Sequence, residues 1–160
     1  MTIKTTISLD QNASEQMAQG LSQILADTYV TYLKTQNFHW NVIDARFHSL
    51  HEMFEEQYEE LAESVDEIAE RIRMLKFKAL GSMRQFLEIA TIDEAEGELS
   101  GNDMIHELCH ARETLIHHCR QKIEQASKIG DEGTADLLIQ ELRKHEKAAW
   151  MLRSHLFNES

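Results

Sequence analysis

The sequence predicts an all-α domain, a bundle of four long helices, on three observations. Helix breakers are scarce, since the 160 residues include no proline and only six glycines. Alternating runs of Val, Ile and Thr, which mark half-buried strands, are nearly absent. Apolar residues instead recur every three or four positions over stretches of many helical turns. A chain of this length fits one domain, residues 1–160, with one core of its own.

Taken in order, the first helix is expected over residues 14–40, with Met17, Leu21, Ile24, Leu25, Thr28 and Tyr32 along one face. Asn12 or Ser14 is its expected cap. Residues 41–46 break the pattern, and Asp44 is the expected cap of the next helix. That second helix, residues 47–77, has the clearest stripe: Phe47, Leu50, Phe54, Tyr58, Leu61, Val65, Ile68, Ile72 and Leu75. Gly81 is read as its stop, and Ser82 with Gln85 as the capping box of a short helix over residues 83–90. An acidic link, 91–101, leads to a third long helix over 102–129, where Ile105, Leu108, Leu115, Cys119, Ile123 and Ala126 share a face and Gly130 ends the run. The fourth is expected over 134–156, with Leu138, Leu142, His145, Ala149, Leu152 and Leu156 inward, His145 as a hydrogen-bonded core histidine. The pattern is two helical hairpins joined by a long connection that carries a small helix.

Composition narrows the partners. Twenty-eight acids against sixteen bases give a formal net charge of −12, which repels polyanions and favours cations. Nine histidines prompt a search for metal ligands. No apolar run is long enough for a bilayer, and residues 1–10 lack a signal-peptide core. Cys109 and Cys119 lie ten residues apart on one predicted helix, roughly 15 Å by helical rise, too far for a disulfide between them. A cytoplasmic location is expected.

Four residues of the second helix stand out. His51 with Glu55, and Asp66 with Glu70, are each spaced i, i+4, so each pair points one way. Nitrogen and carboxylate donors without thiolate suit Fe(II) better than structural zinc. His39 lies just before the turn that reverses the chain and His51 soon after it, so both sit at the same end of the first hairpin. The two pairs are centred fifteen residues apart, roughly 22 Å along one helix, and cannot reach one metal. Two copies crossing antiparallel near Glu60 on a two-fold axis would bring His51 and Glu55 of one chain to Asp66 and Glu70 of the other, with Ala62 and Ala69 small enough to admit the partner helix.

The segments Asn37-Phe38-His39-Trp40-Asn41, Leu50-His51-Glu52-Met53-Phe54-Glu55-Glu56 and Asp66-Glu67-Ile68-Ala69-Glu70-Arg71 strongly resemble the signature of the Dps mini-ferritins. The resemblance spans nearly the whole chain, including the short helix and the Gly130-Asp131-Glu132 turn. It implies a ferritin-like four-helix bundle with an extra helix between the second and third long helices, assembled as a twelve-subunit hollow shell. It also implies a two-iron ferroxidase site at each two-fold interface: His39, His51 and Glu55 from one subunit, Asp66 and Glu70 from its mate. Relatives often carry Asp where Glu55 stands. The implied reaction is oxidation of Fe(II), preferably by hydrogen peroxide, with storage of the ferric mineral and protection against oxidative damage. Trp40 would lie beside the site, as a packing residue or a sink for stray oxidising equivalents. Asp131 and Asp136 resemble the acids that line the three-fold pores of these shells.

Other readings compete. Taken singly, Glu55, Asp66 and Glu70 could belong to a solvated acidic face, but the spacing, the two histidines and the crossing geometry agree as a set. A single-bundle di-iron enzyme would need acids on several helices around one core, whereas the first helix is read as having no buried acid at mid-length. A nucleoid-condensing role is disfavoured, because the N-terminus offers only Lys4 and the last segment only Arg153. On the third long helix, His106, His110, Glu113 and His117 form a stripe that is read as a polar helix face.

Overall fold

The computed structural model describes residues 7–156. Five helices follow in order: α1 (Gln11–Asn41), α2 (Phe47–Met74), α3 (Met83–Ile89), α4 (Gly101–Lys128) and α5 (Glu132–Arg153), with no strand among the described residues. The all-helical bundle expected from the sequence is what the chain adopts. Two antiparallel hairpins, α1 with α2 and α4 with α5, pack together through α1 and α4, and the short α3 rides on α1.

Local signals set the helix ends, some of them different from those expected. Asp10, not Asn12 or Ser14, caps α1 by accepting from the Ala13 amide at 3.0 Å; the helix starts before its apolar stripe does. Asp44 does not cap α2, which has no side-chain cap. Its carboxylate instead accepts from the Arg46 backbone and guanidinium, each at 2.8 Å, and holds the reversing turn. That guanidinium keeps the Asp44 carboxyl down at about 2. Helix α2 stops at Met74, short of Gly81, because Lys76 adopts a left-handed φ of 75° and the Phe77 amide bonds back to the Ile72 carbonyl at 3.2 Å. Ser82 caps α3 through the Gln85 amide, as expected, while the Gln85 side chain accepts from the Gly81 amide. Gly130, at φ +76°, terminates α4.

The core has two apolar clusters separated along the bundle by a polar layer. One cluster gathers Met17, Leu21, Ile24, Ile68, Ile72, Leu115 and Leu138. The other gathers Phe38, Leu50, Phe54, Ile105, Leu108 and Leu152 around the end where α1 turns into α2. Between these stretches of the helices lie the buried Thr31, Thr35, Gln57, Ser64, Arg112, Glu141 and His145. The threonines satisfy themselves by bonding the carbonyl four residues back, at 2.7 Å. Arg112 donates to His145 Nδ1 at 2.9 Å, so His145 is the hydrogen-bonded core histidine expected. Cys109 and Cys119 are buried and free. No helix among the described residues is long and apolar enough to cross a membrane.

Candidate metal centre

The α1–α2 reversal brings together the first group of candidate ligands. His39 is on the last turn of α1, and His51 opens the second turn of α2. Their rings stack with centroids 3.8 Å apart and planes 13° off parallel. Each ring bonds the other residue's backbone: His39 Nδ1 to the His51 carbonyl at 2.7 Å, His51 Nδ1 to the His39 carbonyl at 2.8 Å. A carbonyl only accepts, so each Nδ1 carries the proton. In the neutral ring each Nε2 is then a lone pair, the form a metal requires.

The surroundings fix both rings. His39 is buried, with Tyr58 edge-on at 5.3 Å, and Phe47 stacks on the outer side of His51 at 4.9 Å. Burial, then the charges of Glu55 and Glu59, push the Tyr58 phenol up, so it stays a neutral donor. Sequence periodicity placed Tyr58 in the core stripe and gave no sign that it would border this centre. Glu55 is half-buried one turn beyond His51. Trp40 is 61% exposed, so packing inside its own chain is not its role.

Asp66 and Glu70 are exposed further along α2. The Glu70 carboxyl is pushed up by a hydrogen bond with Asp66 and by the negative charge of Asp66. Among the described residues no three His, Cys, Asp or Glu converge on one point within the chain. One chain therefore carries two separate half-sets, a nitrogen-rich one and a carboxylate one, on the same helix.

Asp136 is exposed, whereas Asp131 is 2% exposed and differs from the open pore acid expected. The Asp131 side chain caps α5 through Thr134 and pairs with Arg71 Nη2 at 2.7 Å, so it ties α2 to the α4–α5 turn. A second correction concerns α1, which does hold a buried acid at mid-length. Asp27 is fully buried and accepts from Thr91 N at 2.6 Å, Thr91 Oγ1 at 2.8 Å and Ile92 N at 3.0 Å. His118 Nδ1 lies 3.3 Å away. Asp27 follows Ile24 by three residues and so shares its inward face, a signal that was present in the sequence. Its oxygens pin the long connection onto α1. Glu141, also buried, interacts electrostatically with the Arg112 guanidinium.

Comparison with known proteins agrees with this architecture. The sequence pattern described as the ferritin-like domain matches residues 18–159. A low temperature-induced protein of Nostoc sp. (strain PCC 7120) is 39% identical over 155 residues, 96% of this chain and 87% of the relative. The DNA protection during starvation protein 2 of Bacillus anthracis is 38% identical over 143 residues, 89% of this chain and 98% of the relative. The solved structure of a Dps protein from Vibrio cholerae O1, presented as a member of a broad superfamily of ferritin-like diiron-carboxylate proteins, superimposes with a TM-score of 0.91 at 35% identity and covers 98% of both chains. The chain belongs to the ferritin-like family and, within it, to the Dps mini-ferritins.

Proposed function

We propose that the protein oxidises Fe(II), preferably with hydrogen peroxide, at two-iron sites shared by two-fold-related subunits. The ferric product is stored as mineral inside a twelve-subunit shell in the cytoplasm, which protects the cell from oxidative damage. The observation that carries this reading is the reciprocal His39–His51 pair, two imidazoles whose Nδ1 atoms are bonded to backbone carbonyls so that Nε2 is the atom left for a metal, beside Glu55. The half-set is incomplete alone, and the missing carboxylates lie on the same helix at Asp66 and Glu70.

Antiparallel crossing of two α2 helices near Glu60 supplies both half-sets to each site, twice per dimer. His39, His51 and Glu55 then bind iron from one side. Glu70 and Asp66 of the partner would complete the donor set. Two Fe(II) held together each lose one electron, and peroxide takes both as its O–O bond breaks. The products are two Fe(III) and two hydroxide ions, so no hydroxyl radical is released. The net charge of −12 attracts Fe(II) to the shell. Asp136 is the exposed acid assigned to the approach path, and Asp131 sets the start of the helix that carries it.

Two other readings fare worse. The centre of the single bundle is filled by the fully buried Arg112 guanidinium, bonded to His145 and Gln57, and a cation there leaves no place for iron. Relatives carry DNA-protection names, but the formal charge of this chain opposes DNA binding.

The test is iron co-eluting with the protein on size exclusion after anaerobic Fe(II) loading and oxidation with peroxide. Many irons per chain in a shell-sized fraction are expected, and His51→Gln should slow peroxide-dependent oxidation by at least about tenfold. Two or fewer irons per chain in a small species would sink the storage reading.

A further inference from the structure

The three tyrosines of the chain lie in one row that starts at the proposed iron site. Tyr58 stands edge-on to His39 with centroids 5.3 Å apart. Tyr32 follows edge-on to Tyr58 at 6.0 Å, and Tyr29 edge-on to Tyr32 at 5.7 Å. The row thus crosses from α2 to α1 and runs back along α1, away from His39. Beyond Tyr29 comes Phe86 of α3, stacked at 4.9 Å, and on the far side of His51 comes Phe47, also at 4.9 Å. A ring without a hydroxyl gives up an electron far less readily than a phenol, so phenylalanine closes the row at both ends.

Edge-to-face packing favours such contacts whether or not the rings carry hydroxyls. The hydroxyls are what packing does not require. All three tyrosines are half-buried, so each phenol can trade its proton with water. Gln36 Nε2 donates to the Tyr32 hydroxyl at 3.4 Å. Tyr29, at the end of the row, lines an open cleft of about 220 Å³ between α1 and α3.

We propose that Tyr58, Tyr32 and Tyr29 form a one-electron relay, which gives peroxide its second electron when the site holds a single Fe(II) and carries the oxidising equivalent to the α1–α3 cleft. The relay presupposes the iron-oxidising site proposed above. A lone Fe(II) supplies one electron and would leave peroxide to release a hydroxyl radical. Tyr58, beside His39, supplies the second electron together with its phenol proton as the O–O bond breaks. One Fe(III), one hydroxide ion, one water and the Tyr58 phenoxyl radical result. An electron then passes from Tyr32 to Tyr58 and from Tyr29 to Tyr32. Each donor phenol loses its proton and each phenoxyl regains one, so the row keeps its charge. The radical comes to rest on Tyr29.

Freeze-quench electron paramagnetic resonance on the assembled protein, loaded with one Fe(II) per site and given peroxide, tests this. An organic radical is expected, and its signal should narrow when the protein carries ring-deuterated tyrosine. Tyr58→Phe keeps the ring and removes the phenol, so the signal should be lost while spin-trapped hydroxyl radical rises. Tyr29→Phe should leave a signal with altered hyperfine splitting, because the radical then stops at Tyr32. With Fe(II) in excess the parent should consume two Fe(II) per peroxide, which checks the site itself. No narrowing, or an undiminished signal in Tyr58→Phe, would overturn the relay while that stoichiometry stands. Failure of the stoichiometry would sink the paired-iron reading and the relay with it.

Discussion

His145 shows how one buried residue makes stability depend on pH. Arg112 has only protons to give, so His145 Nδ1 accepts from it and the ring proton sits on Nε2, 4.0 Å from Glu141 Oε2. Burial, with the nearby charges of Arg112 and Lys144, holds the His145 pKa well below the ordinary histidine value of about 6.5. The folded chain therefore keeps His145 neutral at a pH where the unfolded chain takes up a proton. The stabilisation is full above about 6.5 and is lost as pH falls below it, at up to about 1.4 kcal/mol per pH unit. Glu141 works in the opposite sense, since burial raises its carboxyl and its protonation favours the fold as pH falls. In His145→Gln the urea midpoint should decline less steeply between roughly pH 6.5 and 5. An unchanged slope would show that His145 is not the group that titrates on unfolding.

At the scale of elements, the register of α2 against α5 rests on a small number of polar contacts. Arg71, at the end of the Asp66–Arg71 segment, reaches Asp131 and Thr134 across to the start of α5. Gly133 allows that approach, because a Cβ there would lie 2.8 Å from Arg71 Nη2. Asp131 both caps α5 and neutralises Arg71, which is 18% exposed at its side chain. Asp131→Ala removes the cap and leaves a partly buried guanidinium unpaired, a loss of roughly 3 kcal/mol. Asp131→Asn keeps a capping oxygen and should lose less. Denaturant unfolding of the two variants separates the contributions; equal losses would mean that the cap carries nothing on its own.

Over the whole molecule, the proposed division of the centre into two half-sets gives a quantitative expectation. A chain with His51→Gln spoils the nitrogen half, and a chain with Glu70→Gln spoils the carboxylate half. Each homo-oligomer should be inactive in peroxide-dependent oxidation. When the two chains are unfolded, mixed equally and reassembled, half of the dimers are mixed. Each mixed dimer holds one intact site and one doubly damaged site, so about a quarter of the parent activity should return. No recovery in properly reassembled material would place the whole centre within one chain. Exposed apolar side chains such as Ile43, Met74, Met83 and Trp150 fit a subunit that buries more surface on assembly.

The sequence by itself determined the helices, their pairing into hairpins and the candidate metal donors. Each of these follows from a short-range rule: a period of three to four residues, a capping side chain, or two ligands one turn apart. The small helix was legible for the same reason, through Ser82 and Gln85. What escaped were contacts between residues distant in the chain. Periodicity could place Asp27 on an inward face but could not reveal that the amides of Thr91 and Ile92 would meet it. Nor could it show Arg71 reaching Asp131, or Lys76 closing α2 without glycine. The tautomers of His39 and His51 belong to the same class. Each is set by a carbonyl twelve residues away, and only the folded reversal between α1 and α2 brings ring and carbonyl together.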